Sequence, residues 1–214
     1  MNFSLTTARL SYDVRQQMKS TLIATILLVG TLLSQADSEK FMWRDSDGKS
    51  TPDTANMKAK DGFGGQFILS SNEGIYADWA KPETPRIDVA SKLAVGELLV
   101  PVVIFVNPKK DKDGSIDVTY DLRIYKPDGS LAREISGIVC AKGVFNAPQF
   151  NLQLSQSEAK WGAEATDPLG TWTFKLLLKD NVRGIGLPLE TSVEITKAED
   201  RNKSEQAIPR NPSD

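Results

Sequence analysis

The chain is 214 residues long, with 26 basic and 28 acidic side chains, one cysteine and no histidine. That length gives one domain of ordinary size plus flanking segments, and the near-balance of charge, without a basic patch or stripe, argues against an electrostatic nucleic-acid binder. The missing histidine removes Ser-His and Cys-His nucleophile pairs, histidine general bases and most zinc and iron sites, and the single Cys140 has no partner for an intramolecular disulfide.

Taken in chain order, the first pattern is an apolar run, Thr21 to Leu33, preceded by Arg15 and Lys19 and followed by Ser34-Gln35-Ala36. Basic, apolar and small residues in that order read as a secretory signal peptide over residues 1–36, cleaved after Ala36. The uncharged span is short for a membrane helix, which needs ~20 apolar residues. An uncleaved anchor is the rival reading, and would be the chain's one route to a membrane. Met18 directly precedes Lys19 and is an alternative true start. The expected location is therefore periplasmic or secreted.

Residues 37–61 are polar and without sustained period, and read as a flexible leader interrupted by Phe41, Met42 and Trp43. Those three either dock on the domain or form a partner-binding peptide. Order is expected from Gly62, with Phe67 and Leu69 as inward residues of a short strand. Gly74 to Ala80, containing Tyr76 and Trp79, reads as another strand, and Ile87 to Ala90 as a weak one. Gly96 to Val106 is apolar on both faces, as a strand covered on both sides is, and Pro101 calls for a bulge or an edge position in it.

Ile116 to Lys126 alternates cleanly, with Ile116, Val118, Tyr120, Leu122 and Ile124 on the inward face. Pro127-Asp128-Gly129-Ser130 is a turn signal, and Leu131 to Ile138 returns as the partner strand. Gln149 to Ser155 places Phe150, Leu152 and Leu154 on one face. The last hairpin is the strongest pattern in the chain. Trp172, Phe174, Leu176 and Leu178 share a face in its first arm. Ile185, Leu187, Leu189, Thr191, Val193 and Ile195 share one in the second, and Asp180, Asn181 and Gly184 form the turn. One apolar face needs a second sheet to cover it. The prediction is an all-β fold: an antiparallel immunoglobulin-like β-sandwich of about seven to nine strands over residues 62–197, then a disordered polar tail over 198–214.

The segments YDLRIYKPDGSLAREISGI and DPLGTWTFKLLLKDNVRG resemble the strand, turn and strand pattern of immunoglobulin-like or macroglobulin-like domains of exported proteins, over Asp61 to Lys197. No cysteine pair surrounds a core tryptophan, which departs from antibody domains. The resemblance implies architecture and carries over no binding residue.

Candidate sites are few. Asp111-Lys112-Asp113-Gly114 looks like a calcium loop. In the EF-hand register, however, Lys109 and Tyr120 fall at end positions that need acids, so a charged turn is expected. Asp45-Ser46-Asp47-Gly48 fails the same way, leaving only an irregular calcium site at loop carboxylates as an alternative. Exposed tryptophans stack on sugars; Trp172 fits the core period, so Trp79 and Trp161, with Tyr76, are the candidate binding residues, against the reading that they close the end of a sandwich. Cys140 reads as a small buried hydrophobe rather than an intermolecular disulfide. Leu177, and Leu99, Val103 and Phe105 if Val100 and Ile104 point inward, would form an exposed apolar patch or lie under a loop. No nucleophile-elbow or phosphate-loop spacing is present. The function expected is a non-enzymatic binding or assembly module, without cofactor or metal, that recognises a protein partner through loops or a strand edge. A carbohydrate-binding module of the cell envelope is the alternative.

Overall fold

The computed structural model describes residues 41–44, 47–83 and 85–198. The expected signal peptide, nearly all of the expected tail, and Asp45 and Ser46 of the second acidic loop lie outside those residues. Ten strands and one helix follow in order: β1 Met57–Lys60, β2 Phe63–Ser70, α1 Ile75–Trp79, β3 Lys92–Ala94, β4 Leu98–Val106, β5 Ser115–Tyr125, β6 Leu131–Val144, β7 Gln153–Leu154, β8 Trp161–Gly162, β9 Gly170–Asp180 and β10 Ile185–Thr196. One sheet runs β1-β2-β4-β7 with β8 also on β4, and the other runs β3-β10-β9-β5-β6. The fold is thus the expected all-β sandwich of immunoglobulin-like architecture. Two of its strands are only two residues long, and one pairing, β3 with β10, is parallel.

Alternation builds the core. Val118, Tyr120, Leu122 and Ile124 of β5, Trp172, Phe174, Leu176 and Leu178 of β9, and Leu187, Leu189, Val193 and Ile195 of β10 meet Phe63, Phe67, Leu69, Leu99, Val103 and Phe105 of the facing sheet. The outward residues of β5 and β9 form ion pairs with neighbouring strands, such as Lys179 with Asp121 at 2.9 Å, so that face stays solvated.

β4 is covered on both faces, as its unbroken apolar run requires, but the direction is the reverse of the one considered above. Leu99, Val103 and Phe105 face the other sheet, while Val100, Val102 and Ile104 lie with Ile68 under Ile75, Tyr76 and Trp79. Only Leu177 of the suggested patch remains exposed. Pro101 keeps register with Leu69 of β2, and on its other side it falls between the residues that pair with β8 and those that pair with β7. It occupies a local edge, where a missing N–H costs nothing.

Four expectations are corrected. Gly74 to Ala80 is a short helix, not a strand, because Asn72 accepts the Gly74 N–H at 2.8 Å and donates to Asp78 at 2.8 Å, closing a turn that puts Ile75 and Trp79 on one side. Ile87 to Ala90 makes only a bridge from Val89 to Ser70, and the strand comes next, at β3. Phe150 and Leu152 are not strand residues, since the Asn151 N–H bonds Pro148 O at 3.2 Å and the turn breaks the alternation. The sheet also begins at Met57, inside the expected leader, because β1 closes onto β2 through a turn whose Asp61 and Gly62 both take positive φ.

Candidate binding surface

The outer face of the β1–β2–β4 sheet is covered by two different devices. α1 covers one part. At the other end Gly64 of β2 leaves room for an aromatic ring: a Cβ there would strike the Phe41 ring and lie 2.6 Å from Val106 Cγ1. Phe41 sits edge-on to Trp43, with centroids 5.1 Å apart, and stacks with Phe150 at 6.4 Å. Trp43 is tied down by its indole Nε1–H, which donates to Lys58 O at 3.0 Å. Phe41 and Trp43 are therefore half-buried packing residues, as the docking alternative anticipated, but their neighbours are not. Met42 is 49% exposed, Phe150 41% and Leu152 44%. With Arg44 these residues line an open apolar depression of about 410 Å³.

A second cleft of about 560 Å³, with polar and apolar lining in similar measure, adjoins it, lined by Asn107, Pro108, Lys109, Lys110, Phe145, Gln149 and Arg183. The two meet at Gln149-Phe150 and again at Gly62, where a Cβ would lie 3.4 Å from Asn107 Nδ2, 3.6 Å from Arg183 Nη1 and 3.8 Å from Phe41 N. The cleft is built on Asp180, which has no side-chain surface in water. Its carboxylate accepts the Lys109 N–H at 2.8 Å, the Arg183 N–H at 2.9 Å and Arg183 Nε–H at 3.1 Å. Arg183 then donates from Nη2 to Asn107 O at 2.8 Å and from Nη1 to Asp61 O. Asn107 Nδ2 donates to Gly62 O at 2.7 Å. Among the described residues, Asp61 at φ 49° and Asn107 at φ 54° are the non-glycine residues with positive φ. Both turn a carbonyl to the same guanidinium. One buried acid and one arginine thereby fix the β1–β2 turn, the exit from β4 and the β9–β10 turn together.

The residues singled out above fall elsewhere. Tyr76 and Trp79 come together on α1, half-buried against Ile68, Val100 and Ile104. The Tyr76 hydroxyl donates to Ser157 O at 2.9 Å, and burial pushes its phenol well above the ordinary range. Trp161 pairs opposite Leu99 and packs on Trp172 and Phe174, at 5.2 and 5.1 Å, on the inter-sheet side. Trp79 and Trp161 thus lie on opposite faces of one sheet and do not make a joint platform. Asp111 Oδ1 accepts the N–H groups of Asp113 and Ser115, both at 2.9 Å, so this acidic loop is a backbone-bonded turn. Among the described residues no three His, Cys, Asp or Glu side chains are placed to hold a metal ion. Cys140 is buried, and burial pushes its thiol to about 12 against a smaller opposing effect of the Ser155 hydroxyl.

Sequence reasoning passed over the basic cleft. In the sequence Asp180 is a turn residue and Lys109 only a misfit in a calcium register. The signal lay in DNVR, where an acid and a base three apart in a turn can bond one another.

No family model matches the chain. No curated protein matches it either. It is similar to the CARDB domain of a Pyrococcus furiosus protein, solved in complex with di-metal ions, at 12% identity and TM-score 0.31, covering 50% of this chain and 86% of that one. It is also similar to a family 123 glycoside hydrolase from Clostridium perfringens, at 8% identity and TM-score 0.32, covering 62% of this chain and 27% of that one. Likeness so distant says nothing of ligand or activity. The class stands on the two sheets themselves: a β-sandwich of immunoglobulin-like architecture.

Proposed function

We propose that the chain is an exported, non-enzymatic binding module that holds a protein partner on the loop surface around Phe41, Met42, Phe150 and Leu152. The observation that carries this reading is the exposure of Met42, Phe150 and Leu152 around one apolar depression. Apolar side chains clustered on a surface are kept from water when a partner covers them. The finer likeness, to immunoglobulin-like or macroglobulin-like domains of exported proteins, belongs to the same proposal, as does the signal peptide cleaved after Ala36. Nothing in the reading calls for a cofactor, a metal, a nucleic acid or chemistry on the partner.

The test is retention from native envelope and secreted extracts by the wild-type chain and by Leu152→Asp. Leu152 is exposed, so the variant keeps the fold, which its thermal transition verifies. A stoichiometric protein held by the wild type at high salt and lost on Leu152→Asp is the expected result. Retention of glycan alone, sensitive to Trp79→Ala and not to Leu152→Asp, would move the module to carbohydrate recognition.

A further inference from the structure

Resting on that protein-binding reading, we infer that the cleft beside the apolar depression receives a carboxylate, so that the partner segment carries an acidic side chain next to an apolar one.

The charges in the cleft do not cancel. Asp180 is answered by Arg183 and by two backbone N–H groups. Lys109 and Lys110 have no carboxylate within ion-pair distance among the described residues, and Lys110 instead lies over the Phe145 ring, 5.6 Å from its centroid. Among the described residues, two exposed lysines therefore line the cleft without a carboxylate partner, in a chain whose net charge is −2. The excess is local and sits beside the apolar depression.

Arg183 supplies direction. A guanidinium has five N–H donors. Three are spent, on Asp180, Asp61 O and Asn107 O, which leaves one N–H on each terminal nitrogen. Its side chain is only 19% exposed yet lines the cleft. The group is held from three sides, so little side-chain entropy remains to be lost when a ligand arrives. Planar donors plus nearby ammonium charge suit a carboxylate, which accepts from several N–H groups at once. Among the described residues, the two non-glycine positions with positive φ, Asp61 and Asn107, both turn a carbonyl to this one arginine. The neighbouring apolar depression fixes what accompanies the acid: a side chain such as Phe, Leu or Met.

The experiment is selection of a displayed library of random twelve-residue peptides on the immobilised full-length chain, followed by affinity measurement on synthetic peptides. Enriched peptides are expected to place Asp or Glu beside an apolar residue. Replacing that acid with its amide should weaken Kd at least tenfold in the wild type. In Lys109→Gln/Lys110→Gln, whose changes are both exposed, acid and amide peptides should bind alike, and the wild-type preference should shrink as salt rises. Enrichment of apolar peptides without an acid, or equal Kd for acid and amide, overturns the carboxylate inference and leaves protein binding standing. No enrichment, or enrichment indifferent to Leu152→Asp, overturns both. Binding of a soluble acidic polysaccharide in place of any peptide likewise overturns both.

Discussion

Asp180 shows how one side chain can hold a surface together. Its three N–H partners come from the β4–β5 connection and from the turn it begins, and through Arg183 it reaches the β1–β2 turn. Removing one member of a buried pair leaves the other without its compensation, which costs several kcal/mol. Asp180→Ala is expected to lower stability by about 3 kcal/mol, read as a shift of the urea midpoint. Arg183→Gln should cost at least as much, because it leaves the fully buried Asp180 carboxylate without its counter-charge and takes the donor from Asp61 O and Asn107 O. Only the spacing of Asp180 and Arg183 was legible in the sequence, where Asp180 is otherwise one more polar residue at a hairpin end. A turn acid and a buried acid have the same local pattern, and only the meeting of three distant loops distinguishes them.

Among the elements, β2 packs on both faces through adjacent glycines. Gly64 admits the Phe41 ring, and Gly65 admits Leu178 and Leu187: a Cβ at Gly65 would lie 2.5 Å from Leu178 Cδ2 and 3.1 Å from Leu187 Cδ1. Overfilling a packed core costs about 1–3 kcal/mol. Gly65→Val should therefore lower the unfolding free energy by about 2 kcal/mol, measured by chemical denaturation, with the sheet content unchanged by circular dichroism. The long strands β5, β9 and β10 were readable from alternation because one face meets a second sheet and the other carries ion pairs. β3 was not, since three residues give no period and its parallel pairing with β10 depends on a distant partner. α1 misled for a related reason. Five residues with apolar Ile75, Tyr76 and Trp79 fit a strand or a helical turn equally, and Asn72 decides between them. The apolar half of the candidate surface was visible as Phe41, Met42 and Trp43, but Phe150 and Leu152 were assigned to a strand that a turn interrupts.

For the whole molecule, buried and paired titratable groups set the pH range of stability. The Gly137 N–H, and then Lys179, hold the Asp121 carboxyl below the usual range, while Lys142, followed by Asn181, does the same for Asp117. A lowered folded value stabilises above the unfolded carboxylate range, and that gain is lost as the pH falls through the depressed values. At the other end, burial pushes the Cys140 thiol and the Tyr120 phenol up to about 12 each. A raised value for these groups stabilises below the unfolded values and is lost as the pH rises through them. Urea midpoints are expected to be flat between about pH 5 and 8, falling below about 4 and above about 9. Cys140→Ala should remove part of the alkaline fall and none of the acid one.

The strand order also sets when the molecule can close. β10 is the last strand in sequence, yet it lies inside its sheet, between β9 and β3. Until residues 185–196 have left the ribosome, β3 has no strand to join, β9 has an open side, and Leu187, Leu189, Val193 and Ile195 are missing from the core. Closing contacts between chain regions so far apart is slow, because loop entropy is lost before the contacts form. The domain therefore completes only once β10 is available to both neighbours.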